Sequence, residues 1–86
     1  MQTIELLDKA VSKARSERAL SIQLGLDPAT LATARYRGKL STALAIVLAD
    51  YAGENVTDWL IQAQLETERS PAIRRRLTAI RTALKS

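Results

Sequence analysis

The side chains best suited to chemistry in this sequence form a short cationic run. Arg35, Arg37 and Lys39 alternate with Tyr36 and Gly38. Grouped in this way they suit the phosphate backbone of a nucleic acid, because Arg and Lys are frequent partners of phosphate oxygens. The chemistry that this segment predicts is therefore the binding of a polyanion.

Groups that could catalyse a reaction or hold a metal are scarce. The chain has no His and no Cys, which excludes disulfides and the usual zinc sites. It has no glycine-rich phosphate loop, and its carboxylates show no spacing that suggests acid–base catalysis. The sequence therefore predicts neither an enzyme nor a cofactor.

The net charge of +4 hides three blocks of alternating sign. Residues 1–40 carry seven Lys and Arg against four Asp and Glu, and residues 69–86 carry six Lys and Arg with no acidic residue. Residues 41–68 carry five Asp and Glu with no Lys or Arg. Solvated helix faces are the common explanation of such clusters, but a basic protein of this size also suits DNA.

Apolar residues recur at helical spacing along the chain, and no segment alternates with a period of two. We expect an all-α fold, a single compact domain of five or six helices over residues 1–86. The predicted helices span about 3–15, 17–24, 28–36, 43–51 and 56–68, with a sixth beginning at Pro71. A stripe of Ile4, Leu7, Val11 and Ala14 should face the core from the first helix, and the fourth should be buried on most sides.

The sequence gives no sign of a membrane partner. The longest unbroken apolar run, Ala43 to Ala49, is too short to span a bilayer. The first residues include Glu5 and Asp8 and lack the pattern of a signal peptide. We therefore expect a cytoplasmic, nucleoid-associated protein.

Residues 17–37 have the pattern of a helix-turn-helix, in which the second helix enters the major groove of DNA. Gly25 is placed to end one helix at positive φ, and Asp27 and Pro28 are the preferred cap and first residue of the next. Four leucines are spaced to pack the two helices together: Leu20, Leu24, Leu26 and Leu31.

The exposed start of the predicted recognition helix carries small side chains. It offers Thr30 and Thr33, which can contact either kind of base edge, but no Gln, Asn or Arg for a bidentate base contact. Base recognition must then draw on DNA shape or on Arg35, Tyr36 and Arg37 further along.

The segment Leu20-Ser21-Ile22-Gln23-Leu24-Gly25-Leu26-Asp27-Pro28-Ala29-Thr30-Leu31 resembles the helix-turn-helix of the lambda-repressor/Cro-like superfamily. The tail, with Asp58-Trp59-Leu60 and Glu66 to Pro71, is similar to small regulators of bacterial prophages, particularly filamentous ones. The resemblance implies a helical bundle that binds a palindromic operator as a homodimer and represses phage genes.

By position, the resemblance places base contacts on Glu17, Pro28, Ala29, Thr30 and Thr33. A carboxylate at Glu17 departs from the family pattern, and phosphate would repel it unless it pairs with Arg18 or a cytosine amino group. The full set of predicted DNA-binding residues is Ser16, Glu17, Arg18, Pro28, Ala29, Thr30, Thr33, Arg35, Tyr36, Arg37 and Lys39.

The last two helices, about residues 55–85, are the predicted dimerisation region. The sixth carries an apolar seam that needs a partner surface, and packing within the chain or against a second copy would each supply one. Trp59 fits a core position and, less well, a dimer contact. The predicted interface residues are Trp59, Leu65, Ile73, Leu77, Ile80 and Leu84. The alternative function is a protein-interaction module, antitoxin-like or a phage regulator, in which these helices bind an antagonist protein.

Overall fold

The computed structural model describes residues 2–85, which form helices joined by short turns and contain no strand. This confirms the predicted all-α class. The six helices are α1 Thr3–Ala14, α2 Glu17–Leu24, α3 Pro28–Arg37, α4 Thr42–Ala52, α5 Val56–Thr67 and α6 Pro71–Lys85. None of the helices within residues 2–85 is both long and apolar enough to cross a membrane.

The helices begin where the sequence places a capping residue. Ser16, Asp27, Ser41 and Asn55 each accept a hydrogen bond from a backbone N–H in the first turn of the helix that follows. Each such bond satisfies one of the N–H groups that a helix start leaves without a partner. The predicted boundaries are thus correct to within one or two residues.

The turn between α2 and α3 is closed by Gly25. Its φ of +66° lies in the left-handed region, where an L side chain is strained. The Gly25 N–H donates to the carbonyl of Ile22 at 3.3 Å, and the Leu26 N–H donates to that of Ser21 at 2.8 Å. These two bonds are the Schellman pattern, and they direct the chain into the cap at Asp27.

The core lies around α4, which packs against both α1 and α5. Its central side chains are leucines and alanines, and Trp59 is the one aromatic residue among them: Leu6, Leu7, Ala10, Leu20, Leu31, Leu40, Leu44, Ala45, Leu48, Ala49, Trp59 and Ala63. The predicted core position of Trp59 is confirmed.

The stripe predicted for α1 faces the core: Leu7 and Ala14 are buried, and Ile4 and Val11 pack half-buried against them. The expectation that α4 is buried on most sides was wrong in part. Ile46 and Val47 are 38% and 41% exposed, because they lie outside the face that Leu44, Ala45, Leu48 and Ala49 bury. Helix α4 therefore carries more apolar side chains than the neighbouring helices cover.

Candidate nucleic-acid interface

The outer face of α3 is built from small side chains, as the sequence predicts. Pro28, Ala29, Thr30 and Thr33 are all exposed, and only one side of the helix is apolar enough to pack inward. The first two turns of α3 can therefore approach another surface closely, since nothing long projects from them. The structure thus leaves exposed the four residues of α3 that were assigned to base contact.

An open cleft of about 340 Å³ lies between the outer side of α3 and the start of α4. Thr30 and Thr33 line one part of it, and Arg37, Lys39 and Ser41 line another. Within residues 2–85, neither Arg37 nor Lys39 forms an ion pair. Asp27, the cap of α3, also lines the cleft and adds one carboxylate to the two unpaired cations. The cations outnumber it, and together with the hydroxyl groups and the positive end of the α4 dipole they suit phosphate.

Arg35 is placed differently from Arg37 and Lys39. Its Nε donates to Oε1 of Glu17 in α2, and its Nη1 donates to Oδ1 of Asp8 in α1 at 3.0 Å. The hydrogen bond to Glu17, reinforced by that to Asp8, raises the pKa of Arg35 above its ordinary value. The guanidinium of Arg35 thus joins three helices of its own chain, and its contact with phosphate stays a prediction.

The same contact corrects the expectation for Glu17. Its carboxylate pairs with Arg35 and not with Arg18, which is exposed and has no ion-pair partner in the part of the chain that the structure describes. Ser16 serves as the cap of α2, accepting from the Ala19 N–H at 3.0 Å. Tyr36 is 93% exposed and remains free to contact a partner.

Helix α6 is held against α5 by its basic side chains. Arg74 donates to the backbone carbonyls of Leu65 and Glu68, Arg81 donates to Oε1 of Gln62 at 2.6 Å, and Lys85 lies 3.3 Å from Asp58. Only the last of these contacts joins a cation to a carboxylate, so neutral oxygens of α5 and the following turn accept most of the hydrogen bonds that hold α6 in place.

The predicted dimer residues divide into two groups. Trp59 and Leu65 are each 5% exposed, so their assignment to an intermolecular interface was wrong, since folding of the single chain already buries them. The α6 seam is different: Ile73, Ile80 and Leu84 are 48%, 50% and 62% exposed, and Leu77 is half-buried. The seam is therefore the part of the predicted interface that remains open.

One buried polar cluster escaped the sequence analysis. Thr3 donates from its backbone N–H and its hydroxyl to the two carboxylate oxygens of Glu66, each at 2.6 Å. The Thr3 hydroxyl oxygen also accepts from the Leu40 N–H at 2.9 Å. This cluster fixes the residue after Lys39, and thus one edge of the cleft. Thr3 lies 63 residues from Glu66 and 37 residues from Leu40. No local pattern in the sequence could therefore predict these contacts.

Comparison with known proteins adds no relative to these observations. No protein-family model matches the chain, and neither a curated protein nor a solved structure matches it significantly.

Proposed function

We propose that this chain is a double-stranded DNA-binding transcriptional regulator, in which α3 enters the major groove and Thr30 and Thr33 contact base edges. The cleft beside α3 carries the proposal, because it places two unpaired cations and a helix N-terminus next to the exposed threonines. Arg37 and Lys39 would bind the phosphates on one side of the groove, and Arg18 those near the start of α2.

The regulator would act as a homodimer on a palindromic operator, as the prophage repressors that it resembles do. A short α3 with two threonines discriminates poorly between DNA sequences on its own. Binding to two half-sites at once multiplies that sequence preference. The exposed seam of Ile73, Ile80 and Leu84 supports this assignment, because it is an apolar surface that its own chain leaves open.

The open seam also favours a second function. A partner protein with an apolar helix face could cover it, and the chain would then be a protein-interaction module or a regulator that an antagonist inactivates. Sedimentation separates the two: a chain that remains monomeric at high concentration would favour the partner protein.

The experiment that tests DNA binding is titration of a labelled duplex from the intergenic region beside the gene, with an unrelated duplex of equal length as control. We expect tighter binding to the intergenic duplex, and affinity for both that falls steeply with salt. Equal affinity for both duplexes at moderate salt would refute a sequence-specific regulator, and the absence of binding at low salt would refute DNA binding.

A further inference from the structure

Three arginines around the start of α6 have no partner in the described chain. Arg74, Arg81 and Lys85 bind α5, whereas the side chains of Arg69, Arg75 and Arg76 form no hydrogen bond or ion pair within residues 2–85 and are exposed. The packing of α6 therefore uses three of its five cations and leaves Arg75 and Arg76 available, together with Arg69 just before the helix.

These arginines lie at the same end of the molecule as the candidate DNA interface. Gln64 near the end of α5 donates to Thr42 at the start of α4 at 3.0 Å. Thr3 joins Glu66 to Leu40, so the end of α5 also meets the residue after Lys39. Arg69 follows three residues after Glu66, and α6 begins directly beyond it.

Neither nearby carboxylate forms an ion pair with these arginines. Glu66 accepts from Thr3, and Glu68 accepts from the Ser70 N–H at 3.0 Å. Beside Arg75 and Arg76 the alanines of α6 leave an open cleft of about 310 Å³. The two guanidinium groups thus border a surface that an elongated anion could occupy.

We propose that Arg69, Arg75 and Arg76 form a second phosphate-binding patch, which binds the backbone of the same duplex beyond the stretch that faces α3. The inference rests on the proposed function and extends it, because it assigns a sequence-independent contact to a helix outside the helix-turn-helix. At about 3.6 residues per turn, Arg75 lies on the side of α6 opposite Ile80 and Leu84, so a second copy on the seam would leave it free. Arg76 lies one turn before Ile80, at the border between the patch and the seam.

The test is the salt dependence of duplex binding by the variant Arg69→Ala/Arg75→Ala/Arg76→Ala. Each lost phosphate contact lowers the slope of log K against log salt by about 0.9, so we expect a slope shallower by roughly 2 to 3 for operator and unrelated DNA alike. The hydroxyl-radical footprint should also shorten at its flanks. Circular dichroism and sedimentation show whether fold and oligomeric state are kept.

The matched control replaces the same three arginines with lysine, which keeps the charge and should restore most of the slope. An alanine variant with the wild-type slope and footprint would overturn the patch while leaving DNA binding by α3 intact. If the wild-type protein bound no duplex at all, the proposed function would fail and the patch with it.

Discussion

Arg35 and Glu17 join α3 to α2, the helix before it. Arg35 lies in the last turn of α3 and Glu17 in the first turn of α2, 18 residues apart in sequence, and the guanidinium also reaches Asp8 in α1. Helix α3 buries only Leu31 and Ala34, so this polar contact supplements a small apolar one. The three cations near the end of α3 thus differ in role, although their sequence spacing is regular.

Arg35→Ala and Arg37→Ala should therefore affect different measurements. Loss of Arg35 should lower the free energy of unfolding by up to about 1 kcal/mol, because its ion pairs are partly exposed. Its effect on the salt slope of DNA binding should be small. Loss of Arg37 should leave stability within about 0.5 kcal/mol of the wild type and make the slope shallower by about 0.9.

Urea unfolding and salt-dependent titration of a duplex give the two readouts. The interpretation would be contradicted if Arg35→Ala changed the slope as much as Arg37→Ala does. Arg35 would then exchange its carboxylate partners for phosphate on binding.

Thr33→Val should change the preference among DNA sequences without changing the salt dependence. Valine keeps the shape of threonine but lacks the hydroxyl, and one hydrogen bond contributes about 1 kcal/mol, so preference at the contacted base should fall roughly fivefold. Competition between duplexes that differ at single positions measures this. Thr57→Val, an exposed threonine on α5, is the control. An unchanged preference would exclude Thr33 from base contact.

Thr3→Val should be among the most destabilising single changes outside the apolar core. It would leave the buried Leu40 N–H without its acceptor and remove the hydroxyl donor from Glu66, at a cost of about 1 to 3 kcal/mol. Thr3→Ser keeps the hydroxyl and should cost less. Urea unfolding of both variants checks this, and a Thr3→Val variant that is more stable than Thr3→Ser would show that the methyl group of Thr3, not its hydroxyl, stabilises the site.

The contrast between Ser16 and Thr3 shows what could be predicted from the sequence. Ser16, Asp27 and Asn55 act on N–H groups two or three residues away, so residue type and local spacing suffice to identify them. Thr3 meets Glu66 only after six helices have packed, and the choice of Glu17 as partner for Arg35 depends on how α2 and α3 cross. For the same reason the sequence identifies several residues that line the cleft beside α3, but it does not show that they surround a cleft.

Ile80→Asp should prevent dimerisation while the single chain remains folded. Ile80 is 50% exposed in the α6 seam, so a carboxylate there remains hydrated in the monomer but would be buried without a partner in a dimer. Ala79→Asp adds the same charge at the neighbouring exposed position and should preserve the dimer. Analytical ultracentrifugation distinguishes them, and a dimer that tolerates Ile80→Asp would place the interface elsewhere.

The last prediction concerns acid stability and Glu54. The hydrogen bond from Lys9 Nζ, at 2.8 Å, lowers the pKa of the Glu54 carboxyl below its ordinary value. A carboxyl whose pKa is lower in the folded than in the unfolded chain stabilises the fold above the unfolded pKa of about 4.3. This contribution is lost as the pH falls through the lower folded pKa.

Glu54→Gln should therefore reduce the free energy of unfolding at pH 7 by a few tenths of a kcal/mol, as expected for a partly exposed ion pair. The difference from the wild type should shrink in strong acid, where both proteins are neutral at this position. Urea unfolding followed by circular dichroism over a pH series measures it. A gap between wild type and Glu54→Gln that stayed constant down to strong acid would mean that the Lys9–Glu54 pair contributes nothing through its charge.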